Sequence, residues 1–285
     1  MEPNSERFAV FILTHGRPNN VITYKTIRKQ GYTGEVFIVI DNEDKTADEY
    51  RRIYGDKVIV FDKADIAARF DEGDNFNDRR AVFYARNACF DIARSLGVDY
   101  FLQLDDDYNQ FKYRINDKGV HPDDYFTVKR SLDDVFFAFL EYFKAIDAKS
   151  IATMQGGDFF GGAESFGKPK RKCMNTFFCA VDRPFAFVGR VNEDVNTYTY
   201  YQRQGNLFLS LPFVQMDQLQ TQSNQGGMTD LYLDSGTYVK SFYTIMYSPS
   251  CVKIGLMGSK HKRLHHHINW DHTAPCIVGE QWRRA

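Results

Sequence analysis

Sulfur chemistry is scarce in this chain. Its five cysteines (Cys89, Cys173, Cys179, Cys251 and Cys276) are odd in number, widely spaced and without a CxxC pair. That argues against a disulfide scaffold or a zinc ribbon and fits a reducing, cytoplasmic setting. No apolar run approaches the ~20 residues needed to span a bilayer, and the start MEPNSERFAV carries no signal-peptide pattern. The expectation is a cytoplasmic protein with no membrane partner. A GxGxxG after the first strand candidate is absent, and so is a GxxxxGK[ST] loop, which removes the two standard glycine-rich phosphate cradles. An excess of one charge is missing too. The 36 Lys and Arg residues meet 37 Asp and Glu for a net charge of −1, so the chain lacks the strong basicity that marks many nucleic-acid binders.

Hydrophobic residues make up 43% of the 285 and aromatics 15%, enough to bury a core and exclude disorder. The first 110 residues alternate apolar runs with amphipathic stretches. FAVFIL (Phe8 to Leu13), EVFIVI (Glu35 to Ile40), KVIVF (Lys57 to Phe61) and YFLQL (Tyr100 to Leu104) read as buried strands. VITYKTIRKQ reads as a helix stopped by Gly31. Val82, Ala85, Cys89, Ile92 and Leu96 mark a helical face over 78–96, with Asp78 as N-cap and Gly97 as stop. Such alternation predicts an α/β fold with a mostly parallel sheet flanked by helices. In such sheets ligands bind beyond the carboxyl ends of the strands. The loops 14–20, 41–45 and 105–107 should therefore meet at one crevice.

The second half changes character. Residues 1–150 hold 22 Lys/Arg against 27 Asp/Glu, and residues 151–285 hold 14 against 10. Ser131 to Ile146 reads as a capped amphipathic helix, followed by β-like runs that include NTFFCAV and YTIMYS. Between helix and runs lies QGGDFFGGAESFGKPKRK (Gln155 to Lys172), glycine-rich and basic at its end, the composition of a lid or binding loop. No repeat and no true linker appears, so one domain over 1–285 is expected, with a nucleotide half (1–110) and a more β-rich acceptor half (111–285).

Asp105, Asp106 and Asp107 close the fourth strand. Adjacent carboxylates repel one another, and beside a core their charge persists most easily against a cation. Extended backbone points Asp105 and Asp107 the same way, toward a shared Mg²⁺ or Mn²⁺. The plainer alternative is an acidic turn.

A hydrophobic strand ending in DxD, preceded by a helix carrying Ala85-Arg86-Asn87, resembles the GT-A class of nucleotide-sugar glycosyltransferases. THGRPNN after the first strand, IDNED after the second and Asn192-Glu193-Asp194 extend the likeness over essentially the whole chain. Within that class the chain is similar to the phage TET-associated glycosyltransferases, which attach sugars to 5-hydroxymethylpyrimidines in DNA. The resemblance implies a GT-A fold, a nucleotide-sugar donor (a UDP-sugar), a Mn²⁺ or Mg²⁺ cofactor and hydroxymethylated DNA as partner. Thr14, His15 and Arg17 then fall where the donor nucleotide is held, Asp41 where its base binds, and Arg86 where a cation meets the diphosphate. A solvated helix face is the equal alternative for Arg86. Asp105 would face ribose and metal, Asp106 would line the donor site, and Asp107 would be the principal metal ligand.

Asp194, with Glu193 beside it, falls where inverting enzymes of the class place the base that takes the acceptor proton. In KHKRLHHHINWDH the class suggests a metal-binding histidine, His265 or His266, while Lys260, Lys262 and Arg263 are candidates for donor or acceptor phosphates. Lys168, Lys170, Arg171 and Lys172 are expected to meet acceptor phosphates, with Phe159, Phe160 and Phe166 stacking on bases. Two rival readings stay open. One is a GT-A enzyme acting on a glycan or small molecule; the other is a non-catalytic nucleic-acid-binding protein, which the triple aspartate disfavours.

Overall fold

The computed structural model describes residues 6–116, 118–121, 125–159, 169–219, 236, 238–258 and 262–274. The elements of its first half are β1 (Phe8–Leu13), α1 (Ile22–Lys29), β2 (Glu35–Asp41), α2 (Ala47–Tyr54), β3 (Val58–Phe61), α3 (Lys63–Arg69), α4 (Phe83–Leu96) and β4 (Tyr100–Asp105). After them come β5 (Tyr108–Tyr113), a small ribbon of β6 (Ile115–Asn116) and β7 (Gly119–Val120), β8 (Phe126–Thr127), α5 (Leu132–Ala145) and β9 (Ser150–Gln155). The chain continues through β10 (Phe177–Ala180), α6 (Glu193–Gln202), β11 (Phe208–Gln218), α7 (Val239–Tyr247), β12 (Val252–Met257) and β13 (Arg263–Ile268).

Among the described residues a nine-stranded sheet runs in the order β3-β2-β1-β4-β10-β9-β11-β5-β8. Its first four strands are mutually parallel, and β10 joins β4 antiparallel. β1 shows why the strand runs are continuously apolar. Val10 and Ile12 enter one core, with Leu102, Leu104, Phe136 and Phe178; Ala9, Phe11 and Leu13 enter the other, with Phe90, Phe101, Phe177 and Phe187. Both faces are covered, so neither set of side chains can be polar. The register pairs Leu13 with Asp105 and with Val39, and Asp41 with Phe61. The carboxyl ends of β1, β2, β3 and β4 therefore lie side by side.

Three expectations need correction. The helix expected from Asp78 starts at Phe83. The Asp78 carboxylate is held by the Arg80 Nε and Nη2 donors, each at 2.9 Å, and is not free to cap. Gly97 does end that helix, in the left-handed region at φ +63°. Ser131 lies at the N-cap position of α5, but its hydroxyl bonds the Tyr113 hydroxyl (2.9 Å) instead of the helix. Finally, YTIMYS is helical within α7. Its Thr and aromatic content favours strand, but its Tyr243 and Thr244 are buried on the helix together with the preceding Ser241, and tertiary contact overrides that weak preference.

Gly31, at φ +95°, turns the chain out of α1, and a Cβ there would sit 2.5 Å from the Arg130 backbone. Gly31→Ala combines backbone strain with overlap against atoms that cannot rotate away. A loss of ~1–3 kcal/mol is expected, read as a lowered urea midpoint with an unchanged slope.

Candidate active site

At the end of β4 the strand alternation divides the three aspartates. Asp106 is buried, and accepts from the Thr14 hydroxyl (2.6 Å) with Arg17 Nη1 at 3.5 Å. Thr14 also bonds the Tyr50 hydroxyl at 2.8 Å. Burial raises the Asp106 pKa. Thr14, Asp106 and Tyr50 thus satisfy one another and fix the β1 loop to the β4 turn. Asp105 and Asp107 are both half-buried. No Lys or Arg among the described residues forms an ion pair with Asp107. Burial, then repulsion from Asp105 and Asp106, pushes its carboxyl up to about 7. A cation beside it would relieve that crowding.

Asp105 is held by Arg86. The Nη2 group donates to both carboxylate oxygens, at 2.9 and 3.2 Å, while Nε donates to Glu193 Oε1 at 2.9 Å. Arg86 is 1% exposed, its guanidinium 4.8 Å from the Phe177 ring centroid and 5.7 Å from that of Phe187. The solvated-face alternative for Arg86 does not survive. Its Nε and Nη2 groups are engaged by two protein carboxylates, while Nη1 is buried without a hydrogen-bond partner among the described residues. The adjacent Asn87 exchanges two amide bonds with the Phe187 backbone (2.8 and 3.1 Å). The motif on α4 therefore ties the β4 end to the approach of α6.

Glu193 and Asp194 form the first turn of α6, which Asn192 enters in the left-handed region at φ +62°. Both are buried, and burial raises both pKa values. They differ in their partners. Glu193 belongs to Arg86, whereas Asp194 accepts only from the Val195 N–H (2.7 Å) among the hydrogen bonds seen. Lys240 on α7 is close enough for its charge to act on Asp194.

On the donor side, His15 is half-exposed and its Nδ1 lies 2.7 Å from Asp41 Oδ2. Asp41 is buried, with Lys63 Nζ at 3.4 Å from its other oxygen. The bond to Asp41 raises the His15 pKa. Asp44 accepts from the Gly16 N–H at 2.7 Å. Asp41 is thus internally saturated, and the ring edge of His15 is what the loop presents.

The basic loop differs from its expected form. Lys170 and Lys172 both pair with Asp158, and Arg171 donates to the Trp270 carbonyl at 2.6 Å. Phe159 is buried with the Arg114 guanidinium 4.5 Å from its ring centroid, so it is not offered to a base. Lys168, Phe160 and Phe166 lie outside the described residues. His265 and His266 stack on each other at 4.2 Å in β13, near the positive charges of Lys240 and Arg263. Burial among those cations lowers both imidazole pKa values, to about 4 and about 3. Among the described residues no three His, Cys, Asp or Glu side chains converge on a metal position. The structure therefore does not join these histidines to Asp105 and Asp107.

A family model described as TET-Associated Glycosyltransferase matches residues 8–227. The chain belongs to the TET-associated glycosyltransferase family. Among solved structures, S. aureus TarS 1-349 is 12% identical with a TM-score of 0.39, covering 84% of this chain and 65% of that one. Glucosyl-3-phosphoglycerate synthase from Mycobacterium tuberculosis, in complex with Mg²⁺ and uridine diphosphate, is 9% identical with a TM-score of 0.46, covering 93% and 87%. The chain thus spans less than two thirds of that TarS fragment. A search of curated proteins finds no match. No helix among the described residues is long and apolar enough to cross a membrane.

In this member of the family three features escaped the reading of the sequence. Lys63 opens α3 with one intervening residue after the end of β3, close to the same row of strand ends; that position was the available signal. Tyr50 carried no signal, since a tyrosine on a helix gives no sign of bonding Thr14. The third is a cleft of about 630 Å³ lined by Asn109, Gln110, Gln155, Met216, Asp217 and Gln218. It begins beside the triple aspartate, where the Leu219 N–H donates to the Asp107 carbonyl (3.2 Å).

Proposed function

We propose that the protein is a metal-dependent, inverting glycosyltransferase that moves a sugar from a nucleotide sugar, a UDP-sugar, to the hydroxyl of a 5-hydroxymethylpyrimidine in DNA. The observation that carries this reading is the linkage of the β4 carboxylates to the α6 carboxylates through one buried arginine, within a chain of this family. The donor set suits a hard divalent cation. Asp105 and Asp107 would hold it, with carboxylate oxygens of the kind such a cation prefers. A bound Mg²⁺ or Mn²⁺ supplies charge stabilisation for the departing diphosphate.

The chain's own residues do the rest. His15, oriented by Asp41, and Arg17 face the donor nucleotide, while Thr14 and Asp106 hold their loop in place. Asp194 takes the proton of the acceptor hydroxyl as the glycosidic bond forms. Glu193 is the weaker candidate because Arg86 already occupies it. The amide-rich cleft offers donors and acceptors of the kind that bind a sugar or a base edge.

The test is incubation with hydroxymethylated DNA, Mn²⁺ and a panel of nucleotide sugars, then mass spectrometry of the released nucleosides. A mass increase of one sugar is expected for the wild type. Asp107→Ala should show none, with metal-dependent donor binding lost. Full activity of that variant at saturating donor would overturn the metal assignment. Transfer to a glycan but never to DNA would overturn the acceptor and leave the transferase intact.

A further inference from the structure

The stretch from Val239 to Asn269 contains Lys240, Lys253, Lys260, Lys262, Arg263 and four of the histidines, and no Asp or Glu. With 37 acids in 285 residues, about four would fall in a stretch of that length. β12 and β13 form a two-stranded sheet separate from the main one, and α7 packs on both strands. The pairings Lys253 with His267 and Met257 with Arg263 place Lys253, Arg263 and His267 on one face of the hairpin. Lys253, Lys262, Arg263 and His267 are all exposed. On α7 and the residue before it, Tyr238, Phe242 and Met246 repeat every four residues and are 47%, 50% and 54% exposed. Half-exposed aromatics on a helix that packs on a hairpin carrying exposed cations, none of them in an ion pair among the described residues, are the combination that binds nucleic-acid strands, rings to bases and cations to phosphates.

This unit is fastened to the catalytic helix. Asn192 Nδ2 donates to Thr244 Oγ1 (2.6 Å), Thr244 Oγ1 donates to Asn196 Oδ1 (2.8 Å), and Ser248 Oγ donates to Thr199 Oγ1 (2.9 Å). α7 packs on β13, and Lys240 in its first turn is near enough to Asp194 and Arg263 for both charges to act on it.

We propose that α7 with the β12–β13 hairpin is the DNA-docking element of this enzyme. Lys253, Lys262 and Arg263 meet phosphates, Tyr238 and Phe242 stack on unpaired bases, and the link to α6 sets the strand beside Asp194. The inference rests on the DNA-acceptor reading and assigns to it a surface different from the basic loop at 168–172, whose described lysines are already paired.

The test is fluorescence anisotropy of the full chain with a labelled single-stranded oligonucleotide containing 5-hydroxymethylcytosine, from about 50 to about 300 mM salt. Wild-type affinity should fall steeply with salt. The triple variant Lys253→Ser, Lys262→Ser, Arg263→Ser should flatten the log–log slope by about 2, from three lost phosphate contacts at ~0.7 each. Phe242→Ala should weaken binding about 10-fold with the slope unchanged. Calorimetric affinity for UDP-glucose should be the same in all three proteins, which also shows that the variants fold. Wild-type slope and affinity in the triple variant would overturn the proposal, as would a fall in its donor affinity. Loss of binding to phosphatidylserine vesicles with DNA binding intact would make the surface a membrane contact and overturn it too. A wild type that glycosylates a glycan and binds no DNA would instead remove the acceptor reading on which the proposal stands.

Discussion

Arg86→Met is expected to lower folding stability by ~3–5 kcal/mol, the usual cost of removing one partner from a buried charge cluster. Arg86 is fully enclosed and faces carboxylates on both sides, Asp105 at 2.9 Å and Glu193 at 2.9 Å. Methionine fills a similar volume against Phe177 and Phe187, so the loss comes from charge and not from a cavity. What remains is a buried Glu193 whose pKa burial already raises, now without its counter-ion. A carboxyl with a folded pKa above its unfolded value binds more protons when folded. Its penalty is therefore relieved as pH falls and grows as pH rises through the folded value. Chemical denaturation should thus show a larger deficit at pH 8 than at pH 5.5. A simple packing defect would be equal at both values, and a stability within about 0.5 kcal/mol of wild type would remove the arginine from this role. Turnover should vanish along with the stability, because Asp105 and α6 lose their common anchor.

The strands around this cluster were legible because their signal is local. FAVFIL, EVFIVI and YFLQL are apolar on both faces, and only a buried strand with both faces covered needs that pattern. Their carboxyl ends, carrying Thr14, Asp41 and Asp105, could be gathered into one crevice by rule, and the register gathers them. The Arg86 cluster was not legible. Its second partner lies 107 residues away in sequence, and nothing near Arg86 announces that it is buried. Asp78 looked like a helix cap because a free aspartate before an apolar periodicity usually is one. Here Arg80 occupies it, and Arg190, itself bonded to Asp74 at 2.7 Å, stands 3.5 Å away. YTIMYS failed for a related reason. Thr244, which looks strand-forming, is the very group that bonds α7 to α6, and a hydrogen bond between two elements leaves no local trace. The lysines near 170 read as free cations since their partner, Asp158, lies at the other end of the same glycine-rich stretch, 12 residues before Lys170.

Asp194→Asn should lower kcat by ~10²–10⁴ while leaving donor affinity nearly intact. Asparagine keeps the size of the side chain and an oxygen able to accept from the Val195 N–H, so α6 should start as before. What it removes is the only proton acceptor of the pair that is not engaged by Arg86. The loss corresponds to ~3–5 kcal/mol of barrier, since each tenfold is about 1.4 kcal/mol. The wild-type enzyme should show an acidic limb, its rate rising with pH as Asp194 ionises. Burial raises that pKa from the ordinary aspartate range, so the limb should lie above the range of an ordinary aspartate. In the asparagine variant this limb should disappear, leaving a low and flat rate. Glu193→Gln is the control. It keeps a hydrogen-bond acceptor for Arg86 Nε at the same place and loses only charge, so a smaller fall in kcat is expected. Initial rates at saturating donor and acceptor across pH, with calorimetric donor affinities for both variants, separate the outcomes. A donor affinity that collapses in Asp194→Asn would move the residue to the nucleotide site. A Glu193→Gln rate as low as that of Asp194→Asn, with its own acidic limb gone, would transfer the role of base to Glu193 and leave Asp194 to position it.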